Sequence, residues 1–467
     1  MKQPEAQPPL TFQLFKQPIE VTFDAERISS DGGALLLRQQ DDRLGLSAWF
    51  AKCLPETRRL SQVVHSRQEQ VRQRLYQIAL GYPDCNDADA LRTDPMLNAA
   101  CGRQPQQAGL SSQATLTRLE NEAAPQVIRK LLRSLEDEYV RSLPADTAQL
   151  VLDVDTTADP THGQQELTGF NAHYDTHMYL HLLVFDDQGQ LVTALLRPGR
   201  AGASFGVAGL LCRLVAKLKT RFPSLQIVVR GDSAFSTPHL LLTIEQLNLR
   251  WGDVSYLLGF PKNSRLVKLL SAAMEQAAVL QKEGSSEPVV FTQFHYETTK
   301  SWPHPRLIIG KAEQTPLGPN PRFLVTDLEG FDPKMIYQNG YCARGEAENS
   351  IKDIKNALSS DRLSCHGFWA NFLRLMWFAA AYRLMYALRK TALELAPHCC
   401  DVAPLLQPAA QSIQFDTLRL KLLKVGAQVK QTARRICIRL CSSYPFQALF
   451  AAMARSLAPA SVPVPSG

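Results

Sequence analysis

From Gln149 onward the chain carries a succession of short runs that few architectures accommodate. LVLDVD, HMYLHLLVFD and QLVTALLRPG are apolar or alternating, the last two separated by the turn-like DDQG. Runs of this length between turn residues form strands, so three consecutive strands are expected. SFGVAGLLCRLVAKLKTRF then reads as a helix, LQIVVRGD as a strand, HLLLTIEQLNL as a helix and VSYLLGF as a strand. The order β-β-β-α-β-α-β predicts an α/β fold built on a mixed sheet.

The flanks differ in texture. Between about Gln39 and Leu143 the periodicity is helical, as in SRQEQVRQRLYQIALGY and QVIRKLLRSLEDEYVRSL, which predicts a helical N-terminal region over 1–145. The sheet-forming run occupies 146–261. A β-rich stretch containing VVFTQFHYETT, RLIIGKAE and RFLVTDL follows and is read as an insertion over 262–338. YCARGEAENSIKDIK, taken as one helix, and the apolar helix GFWANFLRLMWFAAAYRLMYALRK complete the core over 339–392, leaving a helical, basic C-terminal region over 393–467. The ends MKQPEAQPPL and LAPASVPVPSG are rich in Pro with Gln or Ser and are expected to be mobile.

Composition narrows the function class. At 467 residues, 45% hydrophobic and 20% charged, the chain is globular and long enough for two or three domains. Its net charge of +7 is unevenly spread: TLRLKLLKVGAQVKQTARRICIRL, Thr417 to Leu440, holds seven Lys/Arg and no acid. A basic stripe of this kind suits a polyanion such as nucleic acid. Ten cysteines without a framework and an N-terminus unlike a signal peptide point to a reducing cytoplasm. No stretch approaches the roughly 18 apolar residues of a membrane span, because Phe368 to Leu388 is broken by Asn371, Arg374 and Arg383.

Two strands end on carboxylates: LVLDVDTT supplies Asp153 and Asp155, and IVVRGDSAF supplies Asp232. In α/β sheets, ligands gather beyond the carboxyl ends of strands. In YCARGEAENSIKDIK, Tyr341, Arg344, Glu348 and Lys355 project within about 60° of one another on a helix, with Ala347, Ile351, Ile354 and Leu358 on the adjoining face. Each feature has an ordinary reading. The helix is amphipathic with Arg344–Glu348 and Glu348–Lys352 pairs, Asp155 caps a turn with Thr156, and Asp232 starts a helix. Taken together on a basic protein they favour another: converging carboxylates need positive charge between them, and hard oxygen ligands suit Mg²⁺ or Mn²⁺. Two such ions about 4 Å apart clamp an in-line phosphoryl transfer.

On these residues the sequence resembles the DDE transposases of bacterial insertion sequences. Tyr341, Arg344, Glu348 and Lys355 fit the Tyr-x2-Arg-x3-Glu-x6-Lys signature of one large class. DVDTTADPTHG, LRPG, VVRGDSAF and YCARGEAENSIKDIKNALSSDRLSCHGF, with DGGALLLR and QRLYQIALGYPDCNDADALRTDP upstream, resemble the IS-thirteen-eighty group. The resemblance runs from about Ile19 to Phe446.

It implies an RNase H-like catalytic core interrupted by the β-rich insertion, with Asp155, Asp232 and Glu348 as the catalytic, metal-holding triad. Asp153, two residues earlier on the same face of the strand, is the alternate first ligand. Glu346 points about 200° away from Glu348 on a helix. Tyr341, Arg344 and Lys355 would hold the phosphates flanking the cleaved bond, where an arginine fork grips bidentately. Lys352 and Arg230 are further DNA contacts, Arg230 either touching phosphate or neutralising the cluster. Trp302 in the insertion would receive an unstacked base or belong to the core. The implied activity is metal-dependent cleavage at transposon terminal inverted repeats, recognised by the N-terminal region, followed by attack of the 3′-hydroxyl on target DNA. The expected partner is DNA, with a homodimer assembled on it in the cytoplasm, nucleoid-associated when DNA is bound. Rival readings are an RNase H-like nuclease or resolvase without strand transfer, and a non-catalytic DNA-binding descendant of a transposase.

Three further patterns carry less. His173, His177 and His181 recur every four residues, a zinc face on a helix, but their segment reads as strand. Gly199 and Gly202 in RPGRAGASFG suit a phosphate loop or a plain connection. Cys399 and Cys400 after His398 lack zinc spacing.

Overall fold

The computed structural model describes residues 10–23, 25, 27–106, 109–399 and 413–459. The ends expected to be mobile lie outside these residues except for Leu10 and 457–459. The chain divides into two compact units, one formed by residues 118–383 and the other by 1–117 with 384–467.

The 118–383 unit is organised by a ten-stranded sheet. Its elements are α1 (Pro125–Ser142), β1 (Gln149–Pro160), β2 (Thr176–Asp186), β3 (Leu191–Arg197), α2 (Val207–Arg221), β4 (Gln226–Gly231), α3 (Pro238–Trp251) and β5 (Val254–Phe260), then α4 (Ser264–Leu269), α5 (Ser271–Lys282), β6 (Val289–Tyr296), β7 (Arg306–Thr315) and β8 (Arg322–Thr326). The expected β-β-β-α-β-α-β order is present in a mixed α/β sheet, with two short strands added to make ten, Gly169–Asn171 paired with β2 and Gly318–Pro319 paired with β7. Strand order across it is β6-β7-β8-β5-β4-β1-β2, with β3 on the outer edge of β2. β1 runs parallel to β4, and β4 to β5; the other pairings among these strands are antiparallel.

Alternation along β1 decides which side chains face the chemistry. Leu150, Leu152 and Val154 join Val207, Leu211 and Leu214 of α2 and Leu240, Leu241 and Ile244 of α3 in one core cluster. Because successive side chains alternate across a strand, Asp153, Asp155, Thr157 and Asp159 emerge on the opposite face. There the cross-strand partners of Asp153 and Asp159, Phe185 and Tyr179 of β2, meet the long helix Phe368–Leu395, with ring centroids 5.6 Å from Tyr382 and 5.8 Å from Phe368. The polar interruptions of that helix are buried and paired: Asn371 donates to the Cys365 carbonyl at 2.7 Å, Arg374 to Ser364, and Arg383 to the Leu135 carbonyl at 2.9 Å. Among the described residues no helix is long and apolar enough to cross a membrane.

The stretch 262–338 extends the same sheet. β8 pairs antiparallel with β5, Phe323 opposite Phe260, and β7 and β6 extend the same sheet. Tyr296, Ile308, Ala312, Phe323 and Val325 share the core cluster of β1, β4 and β5. The stretch also contains α4 and α5, unmarked in the sequence reading because α5 buries only the small Ala273 and Ala277. The N-terminal boundary differs too. α1 packs Tyr139, Val140 and Leu143 into the sheet cluster, and Glu136 takes a fork of hydrogen bonds from Arg213 of α2 at 2.6–3.1 Å. The compact unit that holds the sheet thus begins at Arg118 and includes α1.

The second unit gathers helices such as Ala34–Leu44 and Arg67–Ala79 with a three-stranded sheet built from Ile28–Ser29, Ala427–Gln431 and Ile436–Leu440. The C-terminal basic region is thus partly a β-hairpin and not simply helical, as AQVKQ and ICIRL alternate with period two. Of its cations, Lys424 is bound to Asp31 at 2.6 Å and Arg419 to the Ala79 carbonyl at 2.8 Å. Lys430, Arg434, Arg435 and Arg439 are exposed.

Candidate active site

The geometry begins with the register of two parallel strands. Val154 of β1 lies opposite Gly231, the last residue of β4. The next residue on each side is an aspartate, so Asp155 and Asp232 come at the same level where β1 and β4 cease to pair, with Asp155 still opposite Leu183 of β2. Each also fulfils its ordinary role: Thr156 N–H donates to Asp155 Oδ1 at 2.7 Å, and Ala234 N–H donates to Asp232 Oδ1 at 2.9 Å, capping the turn Ser233–Phe235. In Asp155 that leaves Oδ2, which accepts from Arg344 Nη1 at 2.8 Å. Arg344 Nη2 in turn lies 3.7 Å from Glu348 Oε1.

The charges are coupled. Burial pushes the Asp155 carboxyl above its usual range, the Arg344 guanidinium opposes this, and the Asp232 charge adds to it. Burial works against the Arg344 charge, yet Asp155, Tyr341 and Asp232 together hold its pKa above the ordinary value. The Tyr341 phenol is raised, chiefly by burial, with Arg344 opposing and Asp232 reinforcing.

The segment expected as one α-helix is built in pieces: a π-helical turn over Ile336–Tyr341, a 3-10 turn over Cys342–Arg344, α6 (Gly345–Lys352) and a second π turn over Asp353–Ala357. Gly340 and Gly345 are weak helix formers, and π turns shift the angular register that a wheel assumes. Ala347, Ile354 and Leu358 are buried as expected, with Ile351 half-buried. Tyr341 and Arg344 reach the aspartates. Tyr341 lies so close to β5 that a Cβ at Gly259 would sit 2.8 Å from its hydroxyl. Lys355 Nζ donates to the Ala158 carbonyl at 2.9 Å. Glu348 keeps 59% of its side chain exposed, and Lys352 is exposed.

Other expectations are corrected. Arg230 is 4% exposed and grips both oxygens of Asp153, at 2.5 and 2.7 Å, while also donating to the Gly340 carbonyl. It neutralises a buried carboxylate, and Asp153 is more deeply buried than Asp155, at 2% against 9% exposed. Trp302 is 8% exposed, packed against Phe260 and Tyr296 with the Arg306 guanidinium 4.8 Å from its ring; it is core, not a stacking platform. The three histidines do not converge: His173 and His177 are exposed, whereas His181 is buried in β2. The Gly199–Gly202 loop points the carbonyls of Gly202, Ala203 and Phe205 at Arg197, an arrangement unsuited to phosphate.

A cleft of about 410 Å³ opens beside Asp232, walled by Phe260, Tyr337 and Tyr341 and carrying Lys262, Asn320 and Arg322. Lys262 and Arg322 escaped the sequence reading. Lys262 follows the carboxyl end of β5, where ligands gather, so a signal for it was present; Arg322 reaches the cleft only through the β8–β5 pairing.

Among the described residues no three His, Cys, Asp or Glu side chains stand together as a metal site. The donor chemistry nevertheless fits a divalent ion. Asp155 and Asp232 are paired hard-oxygen donors whose repulsion is felt in the Asp155 carboxyl, and Glu348 approaches from the opposite side of a guanidinium that already marks a position favouring positive charge.

No curated protein matches the sequence. Among solved structures, the fold is similar to that of a piggyBac transposase in a synaptic complex with hairpin DNA, at 12% identity and a TM-score of 0.41, over 79% of this chain and 77% of that one. The profile of one family, transposase DDE domain group 1, matches residues 12–462, nearly the whole sequence, and the chain belongs to that family.

Proposed function

We propose that this transposase binds the terminal inverted repeats of its element, cleaves the DNA ends by metal-dependent hydrolysis and joins the 3′-hydroxyl ends to target DNA. The observation that carries the reading is the arrival of Asp155 and Asp232 side by side at the end of the β1–β4 pairing, with Arg344 bridging Asp155 to Glu348. The core is read as RNase H-like on the order β3-β2-β1-β4-β5, and the group as IS-thirteen-eighty on the motifs quoted above.

Asp155, Asp232 and Glu348 would hold Mg²⁺ or Mn²⁺. Bound divalent ions at such a site activate the attacking oxygen and stabilise charge on the leaving one. The chain's own cations position the strand. Arg344 exchanges its bond with Asp155 for a phosphate oxygen as DNA enters, a swap between two charge-assisted partners of similar strength. Tyr341 donates from beside Asp232, and Lys355 supplies a point charge above β1. Outside the carboxylate cluster, the exposed Lys430, Arg434, Arg435 and Arg439 offer phosphate contacts that set affinity without reading sequence. The N-terminal helices would read the inverted repeats, and the assembled form is a homodimer on DNA in the cytoplasm.

The test is single-turnover cleavage of an inverted-repeat duplex taken from the DNA flanking the reading frame, with Mg²⁺, followed by incubation of a pre-cut 3′-hydroxyl end with target plasmid. Joined product supports the proposal. Cleavage without joining identifies a nuclease or resolvase, and binding without cleavage a non-catalytic descendant.

A further inference from the structure

The cleft beside Asp232 carries donors that the carboxylate site leaves unused, and strand register fixes where they are. Gly231 of β4 lies opposite Leu258 of β5, and Gly259, the next residue of β5, lies opposite Leu324 of β8. A Cβ on Gly259 would sit 2.7 Å from the Ser233 amide nitrogen, so the chain leaving β4 through Asp232 runs hard against β5. Just beyond this contact Lys262 follows the end of β5, and Arg322 begins β8. Leu324 packs with Leu257 on the face of the sheet opposite Phe323 and Leu258, and alternation puts Arg322 on the Leu324 face. That face also carries Asp155, because Leu152 and Val154 belong to the cluster of Phe323 and Leu258.

Arg322 is held in place from behind. Its Nε donates to Asn320 Oδ1 at 3.1 Å, Asn320 Nδ2 donates to Glu313 Oε2 at 2.6 Å, and Glu313 Oε1 pairs with Lys311 at 2.9 Å. This relay fixes the guanidinium without using its terminal nitrogens. Like Lys262 Nζ, they have no hydrogen-bond partner among the described residues, and both side chains line the cleft of about 410 Å³. Two cations that merely solvated the surface would need neither the cavity nor the relay.

We propose that Lys262 and Arg322 bind phosphates of the DNA strand on the far side of the scissile bond from the transposon terminus, so that the cleft holds flanking DNA. This rests on the proposed cleavage at transposon ends. An in-line displacement sets the attacking and leaving oxygens on opposite sides of the phosphorus, so the strand must cross the carboxylates and needs countercharge on both sides. The order β8-β5-β4-β1 separates those sides. Arg344 and Lys355, the cations proposed for the transposon strand, are tied to Asp155 and to the Ala158 carbonyl, both on β1. Lys262 and Arg322 lie across β4 and Asp232 from them, β8 being two strand spacings from β4, about 10 Å. The chemistry suits the ligand, since an arginine fork grips phosphate bidentately and lysine meets it as a point charge.

The experiment is equilibrium binding, without divalent ions, of two inverted-repeat duplexes over a range of salt concentrations. One ends at the transposon terminus; the other continues through one helical turn of flanking DNA. Lys262→Gln and Arg322→Gln should each lower the slope of log affinity against log salt by about 0.9 on the flanked duplex, one phosphate contact. Each should weaken its binding about tenfold, with the pre-cut duplex bound as by the unaltered protein. Both residues are exposed, so melting temperatures should hold; Lys262→Gln alone carries the test if losing the Arg322–Asn320 bond lowers that of the other. A loss on the pre-cut duplex as large as on the flanked one, or no loss on the flanked one, overturns the inference and leaves the transposase reading intact. If the unaltered protein binds neither duplex better than one of scrambled sequence, recognition of the end fails and the inference fails with it.

Discussion

Asp153 and Asp155 sit two residues apart on one face of one strand, and their surroundings diverge. Asp153 is 2% exposed, and both of its oxygens are held by the single guanidinium of Arg230, itself buried. Asp155 lies just past the end of the β1–β4 pairing with one oxygen on a backbone N–H and the other on Arg344, whose second nitrogen lies 3.7 Å from Glu348. The first pair is closed: each oxygen has a guanidinium N–H, and both partners are buried. The second is open to exchange, because Arg344 and Glu348 come from a segment that borders solvent. On the proposed reading, what separates a structural carboxylate from a catalytic one here is not the strand or the residue type but the setting of the counter-charge, buried for Asp153 and on a solvent-bordering segment for Asp155.

The sharpest way to break this contrast is to remove each carboxylate. Asp155→Ala, Asp232→Ala and Glu348→Ala should each abolish cleavage of a transposon-end duplex while leaving the melting temperature nearly unchanged. An inactive but well-folded Asp153→Ala beside an active Asp155→Ala would exchange the two assignments.

Asp153→Ala should act on stability. It leaves the Arg230 charge buried and unpaired, a change that costs about 3–5 kcal/mol, to be read by chemical denaturation. Asp186 offers a third environment, a carboxylate bound by the Tyr139 hydroxyl and the amides of Gln188 and Gln190. Burial pushes its pKa up to about 6, against the pull of those donors. The folded state therefore binds the proton more tightly than the unfolded chain, and the associated stability is present below pH 4 and lost as pH rises through 6, about 3 kcal/mol in all. Asp186→Asn should cancel this loss, so its melting temperature should gain on the wild type between pH 4 and pH 7.5. An unchanged difference across that window would refute the assignment.

Arg344→Gln should weaken binding of the transposon end by about tenfold to a hundredfold, the effect of a lost charge-assisted bond. In the absence of DNA the same variant should bind Mn²⁺ more tightly by calorimetry, since the competing guanidinium is gone; weaker binding would show that Arg344 supports the carboxylates and does not compete for them. The smallest effect belongs to Glu346→Ala. This carboxylate is exposed and, among the described residues, hydrogen-bonds only with Asn349, at 3.4 Å, so stability should move by less than about 0.5 kcal/mol and cleavage should be unchanged.

Local pattern alone determined the order of strands and helices from Gln149 to Phe260, because period-two and 3.6-residue alternation are properties of neighbours in the chain. It also marked Asp155, Asp232, Arg344 and Glu348 as candidates, since strand ends and helix faces are written in spacing. It could not separate Asp153 from Asp155, whose local sequence is alike; only Arg230, brought from 77 residues away by the parallel register of β4, closes one and leaves the other open. Trp302 reads as a candidate platform until β5 and β6 bring Phe260 and Tyr296 against it. The strands of 262–338 look like a separate element until β8 pairs with β5 and makes them one sheet. In each case the deciding partner is distant in sequence, and which distant groups meet is set by strand register and packing, which no local window contains.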